Sequence, residues 1–242
     1  MRFFDEGIII NISNYQDSSA IIKLLTKDHG ICCGFIKNAK SKKAISLYQI
    51  GNLITFEYRN RIDDNLGSFF NVDISKSYLA PLIFEPFKLE LVKLPLYIFD
   101  KAFLEREEHK LLFLELISFF EEIASDNITN YHAVGKYIKF ELKILESLGY
   151  GIDLTCCVVT NNSDNLAFIS PKSAKAVSYE IGKPYEKKLL ILPNFLTGHL
   201  DNNIAKNDLI NGLKLTGYFL AKNIFYDNKI FNNLRDNFLL RI

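Results

Sequence analysis

A chain of 242 residues can form one large domain or two small ones, and it buries roughly 70–75% of its unfolded surface, enough for a core without disulfide or metal staples. Its hydrophobic fraction of 48% and charged fraction of 24% are those of an ordinary globular protein, with twenty Phe, twelve Tyr and no Trp supplying the rings of the core. A net charge of +1 excludes a polycation held to nucleic acid by global attraction, so any polyanion must meet a local patch.

In chain order, five short strand-like segments come first: Gly7–Ile12, Ala20–Thr26, Gly30–Lys37, Gln49–Tyr58 and Leu66–Ile74. Asn14-Tyr15-Gln16-Asp17-Ser18-Ser19 reads as a turn, and Lys27-Asp28-His29-Gly30 as a tight hairpin turn. From Ile54 the fourth segment alternates, putting Ile54, Phe56 and Tyr58 on one face. Strands this short and closely spaced predict a small, sharply curved barrel, with a five-stranded sandwich edge as the alternative. A change of period near Ser77–Pro81 marks the boundary between a barrel domain, 1–78, and a helical domain, 79–242. Leu82–Lys101 has helical spacing limited by Pro81, Pro86 and Pro95, and Glu105–Ala124 is amphipathic. A third helix starts near Tyr131, capped by Thr129 or Asn130, and stops at Gly149. Residues 150–200 read as an irregular module with a short hairpin at Ala167–Ile169 and Ala176–Tyr179. Helices resume at Ile204–Ile224 and Phe231–Leu240.

His29 to Phe56 contains no Asp or Glu, yet carries Lys37, Lys40, Lys42 and Lys43. With apolar strands on either side, the expected unit is hairpin-like, its mobile connection projecting positive charge into solvent. Arg2, Arg59 and Arg61 extend the basic set, and Phe35, Tyr48 and Tyr58 are the aromatic residues near it. Small five-stranded barrels bind single strands by joining a cationic groove to stacking rings. Solvation of a loop, and packing of those rings in the core, are the plainer alternatives.

Other chemistry is thinly represented. The histidines His29, His109, His132 and His199 are scattered, and no HExxH, Ser-centred elbow or GxxxxGK[ST] motif occurs. Cys156-Cys157 lacks the second clip that zinc requires, so two small packing residues are expected there, as at Cys32-Cys33. Neighbouring cysteines rarely bridge because the linkage is strained; reduced thiols are expected, with a bridge between the two pairs left open. The acidic opening Met1-Arg2-Phe3-Phe4-Asp5-Glu6 does not read as a secretory signal, and no apolar stretch reaches the roughly 20 residues that cross a bilayer. A cytoplasmic protein without membrane contact is expected.

Five segments, in order, resemble the bacterial RecO family of recombination mediators: Asp5-Glu6-Gly7-Ile8-Ile9-Ile10, Leu24-Leu25-Thr26-Lys27-Asp28-His29-Gly30, Phe35 through Lys43, Glu146 through Leu154, and Ala167 through Val177. The resemblance implies an N-terminal OB-fold, then a helical body with a small module before the last helices: an α+β protein. It also implies binding of single- and double-stranded DNA, strand annealing, and loading of RecA together with RecR onto strands coated by single-strand-binding protein. Asn38 stands where the family usually has Gly, which predicts a stiffer connection; Ala174 also replaces a usual Gly. Only Cys156 or Cys157 matches a ligand of the family's paired CxxC clips, so the resemblance is to a metal-free branch without a cofactor.

The expected DNA-binding residues are therefore Arg2, Lys37, Lys40, Lys42, Lys43, Arg59 and Arg61, on a protein that is not an enzyme. The stripe Lys136, Lys139 and Lys143 on the third helix is expected to meet the acidic C-terminal tail of single-strand-binding protein, with plain solvation as the alternative. An RNA-binding barrel, or an enzyme with its site in the 150–200 module, are the competing readings.

Overall fold

The structure is a computed structural model that describes residues 1–15, 18–39, 41–60, 66–125, 127–198 and 204–242; the Lys43 side chain also lies outside the description. The chain forms two compact units, Met1–Asp126 and Asn127–Ile242.

The first unit opens with strands β1 (Arg2–Tyr15), β2 (Ser19–Thr26) and β3 (Ile31–Ile36), a short helix α1 (Lys42–Leu47), and strands β4 (Asn52–Arg59) and β5 (Gly67–Ser77). The strands close into a barrel in the order β1-β2-β3-β5-β4, with β4 returning to β1. All pairs are antiparallel except β3 with β5. This is the OB-fold, and with the helices that follow it makes the chain an α+β protein. β1 pairs twice, through Gly7–Tyr15 with β2 and through Arg2–Ile8 with β4. The first strand, expected at Gly7–Ile12, thus starts at Arg2 and runs through Asn14 and Tyr15, which read as turn.

The hairpin-like unit expected around the lysines is absent. β5 lies between β3 and β4, so the basic connection crosses between strands that do not pair. Nor is it a free loop. Ser41 Oγ caps α1 by accepting from the Ala44 N–H at 3.2 Å, Ala44 is buried, and Ala39, Leu47 and Tyr48 pack against the barrel core. The Asn52 amide donates to the Ser46 and Leu47 carbonyls at 3.1 and 2.9 Å, fixing the end of the connection. Asn38 adopts the left-handed region at φ 55°, which Asn tolerates better than most residues other than Gly.

Ile9, Ile22, Leu24, Cys32, Ile36, Ile54, Phe56, Tyr58 and Phe69 fill the barrel. The alternation read at Ile54, Phe56 and Tyr58 does point inward. At the parallel seam Gly34 faces Gly67. A Cβ on Gly34 would come within 2.3 Å of the Phe69 ring, and one on Gly67 within 2.2 Å of Tyr58, so closure needs glycine on both strands.

Helices α2 (Pro86–Ala102) and α3 (Lys110–Ile123) complete this unit. Pro86 sits in the first turn of α2, where a missing N–H costs nothing, but Pro95 lies inside it and does not stop it. The buried Leu91, Val92, Leu94, Leu96, Ile98 and Phe99 hold that helix through the proline. α3 starts five residues later than its periodicity suggests, because Glu105 bridges Ile31 and the Arg106 N–H donates to the Ile31 carbonyl at 2.9 Å.

In the second unit, α4 (Asn130–Ser147) is capped by Thr129 Oγ1, which accepts from the His132 N–H at 3.3 Å, and Gly149 follows it at φ 81°. β6 (Leu166–Ile169) and β7 (Ala176–Ser178) form the expected hairpin. After the turn of helix α5 (Tyr179–Gly182), β8 (Leu190–Ile191) joins the other edge of β6, so the module is a three-stranded sheet rather than an irregular stretch. Helices α6 (Lys206–Asn223) and α7 (Lys229–Leu239) close the chain. Glu141 on α4 is fully buried, accepts from the Tyr137 and Thr216 hydroxyls and pairs with Arg235, so one carboxylate joins α4, α6 and α7. Burial, and then the neighbouring Glu141 charge, push the Tyr137 hydroxyl well above the ordinary phenol range.

Candidate nucleic-acid interface

Register on the barrel wall decides which basic residues meet. Arg2 on β1 is the direct cross-strand partner of Arg59 on β4, Arg59 faces Ser68 on β5, and Ser68 faces Phe35 on β3. Partners on adjacent strands project from the same face, so Phe35, Ser68, Arg59 and Arg2 form one row around the outside of the barrel. Lys37 lies two residues beyond Phe35 and is exposed.

Both guanidinium groups converge on Glu57. Arg59 Nε lies 2.6 Å from Glu57 Oε1 and Nη2 lies 2.8 Å from Oε2; Arg2 Nε also donates to Oε1, and the Asn71 amide donates to Oε2 at 2.9 Å. The Arg59 guanidinium first, with Arg2 beside it and against the opposing effect of burial, holds the Glu57 carboxyl down at about 2. Glu57 is covered by these partners, while the side chains of Arg2 and Arg59 remain 63% and 46% exposed. Two positive groups on one carboxylate leave one net positive charge, held in a fixed geometry at the surface. Phe4 and Phe70 flank the carboxylate, since Glu57 is the cross-strand partner of both. Arg2 Cζ lies 5.8 Å from the Phe4 ring centroid, and Arg59 Cζ lies 4.5 Å from that of Phe70.

The other expected positions are more dispersed. Lys42 is exposed in the first turn of α1. Lys40, the Lys43 side chain and Arg61 lie outside the described residues. Lys136, Lys139 and Lys143 do form an exposed stripe on α4, opposite the buried Tyr137, Phe140 and Ile144. They belong to the second unit. Of the aromatic candidates, Tyr58 is buried, Tyr48 packs against the core, and Phe35 is half-buried with its ring edge-on to Tyr15 at 5.4 Å. Phe4 is not among the aromatic candidates because the first strand is expected to begin at Gly7; Phe70 lies in the expected fifth strand, but no charge near it in the sequence points to it. The alternation of Arg2, Phe4 and Glu6 against Phe3 and Asp5 was the available signal.

Among the described residues the four thiols are free, and no group of three or more His, Cys, Asp or Glu could hold a metal ion. Burial raises Cys32 and Cys33 to about 12, leaving them inert as nucleophiles. Burial opposes ionisation of Cys157 too, but hydrogen bonds from Thr160 and Ser178 bring its thiol down to about 6. Ala174 does occupy a left-handed position, at φ 55°, in the tight turn where its N–H donates to the Ser170 carbonyl at 2.9 Å. Among the described residues no helix is long and apolar enough to cross a membrane.

A closed OB barrel with aligned basic and aromatic side chains on its outer wall places the first unit in the class of proteins built on this nucleic-acid-handling fold. Residues 1–78 match the family described as Recombination protein O N terminal, and residues 97–229 match Recombination protein O C terminal. The chain is 38% identical to the DNA repair protein RecO of Rickettsia typhi over 95% of its own length and 94% of that protein's. It is 37% identical to the DNA repair protein RecO of Orientia tsutsugamushi, over 95% of this chain and 93% of the other. The chain belongs to the RecO family, whose role is in DNA repair and recombination.

Proposed function

We propose that this chain is a non-enzymatic recombination mediator that binds single- and double-stranded DNA through the outer wall of its barrel. On this reading residues 1–78 are the DNA-binding domain and 79–242 the helical domain. Lys37, Lys40, Lys42, Lys43, Arg2, Arg59 and Arg61 neutralise phosphates, which brings complementary strands together for annealing. With RecR, the protein assists loading of RecA in the cytoplasm. The observation that carries the reading is the single outward row Phe35–Ser68–Arg59–Arg2, with Lys37 at its β3 end. The stripe Lys136, Lys139 and Lys143 receives the acidic tail of single-strand-binding protein, supported by its exposure on α4.

A salt series on single-stranded DNA tests the main claim. Engagement of about four phosphates gives a slope of log affinity against log salt of about −3. Replacing Lys37, Lys40, Lys42 and Lys43 together by Glu is expected to weaken binding regardless of base sequence, because phosphate contacts position rather than specify. A flat salt response, or unchanged affinity in the fourfold variant, removes the claim.

A further inference from the structure

Phe4 on β1 and Phe70 on β5 are large aromatic residues on the two strands that flank β4, yet they are 68% and 42% exposed. Phe4, Glu57 and Phe70 are successive cross-strand partners, so the two rings stand on either side of one covered carboxylate, two strand spacings or about 10 Å apart. We propose that these rings form a platform on which unpaired bases of a single DNA strand stack; this rests on the barrel being the DNA-binding domain.

Three features of the wall favour that occupant. Each ring carries a guanidinium over one face, Arg2 at Phe4 and Arg59 at Phe70, so a base on the other face stacks with positive charge close by for its phosphate. Glu57, itself held by the Asn71 amide, keeps these guanidinium groups in place before any ligand arrives, so less side-chain freedom is left to lose on binding. One step along the strands, the next outward row is Glu6, Thr55 and Asp73, where Lys27 accompanies Glu6 at 2.7 Å. With Lys27 offsetting Glu6, that row keeps the net negative charge of Asp73, so phosphate is favoured on the arginine side. A paired duplex hides its base faces, so the rings discriminate for unpaired strands, whereas the lysines do not.

The test uses the full chain, labelled oligothymidylate, and an abasic strand of the same length, read by fluorescence anisotropy. Phe4→Leu and Phe70→Leu keep the exposed apolar bulk but remove the ring, and each is expected to weaken oligothymidylate binding about fivefold or more. The abasic strand is expected to bind the wild type more weakly than oligothymidylate, and to bind both variants as it binds the wild type, because it offers nothing to stack. Equal affinity of wild type and both variants for oligothymidylate overturns the platform while leaving phosphate-driven binding intact, and assigns the rings to a protein contact. Equal affinity of the wild type for intact and abasic strands overturns it as well. Failure to bind any strand at low salt overturns the DNA-binding reading, and the platform falls with it.

Discussion

The two units each contain a glutamate clasped by arginine, and the two clusters have opposite fates. In the second unit Glu141 and Arg235 are both buried, and they are met by the Tyr137 and Thr216 hydroxyls and by the Leu213 carbonyl oxygen, 2.6 Å from Arg235 Nη2. In the first unit Glu57 is equally inaccessible, but its cover consists of two arginines that themselves face water. The same chemistry is an internal fastener in one place and a presented cation in the other. What separates them is the surroundings. Three helices wrap Glu141, whereas Glu57 lies on a sheet wall with strands on two sides and solvent above.

The sharpest way to break this comparison is to remove one arginine from the buried cluster. Arg235→Ala strands the Glu141 charge among α4, α6 and α7, and is expected to cost about 3–5 kcal/mol in urea denaturation. A loss below about 1 kcal/mol, the range of exposed ion pairs, would mean that the second cluster is no more fastened than the first.

A smaller effect is expected at Glu57. The folded carboxyl titrates at about 2 against an ordinary 4.5. A group whose folded pKa is depressed adds stability that is complete above 4.5 and is lost as the pH falls towards about 2. Urea midpoints of wild type and Glu57→Gln should therefore differ at pH 6 and converge at acid pH; a constant gap places the stabilisation elsewhere. The same substitution removes one negative charge from the arginine row, so the salt slope on single-stranded DNA should steepen by about 0.7 if one further phosphate is engaged.

The smallest effect on stability belongs to the α4 stripe. Replacing Lys136, Lys139 and Lys143 by Ala is expected to change stability by no more than about 0.5 kcal/mol per site, since all three are exposed. Binding of an acidic tail peptide should nonetheless fall, and unchanged peptide affinity would return the stripe to plain solvation.

Local patterns in the sequence located the five barrel strands, the β6–β7 hairpin, most helix ends, the inward face of Ile54, Phe56 and Tyr58, and the position though not the form of the lysine-rich connection, because alternation, capping residues and charge act within a few positions of one another. They did not reveal that β5 inserts between β3 and β4, that the basic connection folds onto the core through Ala44 and Leu47, or that Arg106 is recruited to β3 ahead of α3. Those outcomes depend on partners tens of residues away. Likewise, nothing near Arg2 in the chain announces Glu57 or Arg59; barrel register brings them together. Charge and pattern were therefore set by the sequence alone. Which charges stand side by side, and which rings face water, was decided only when the sheet closed on itself.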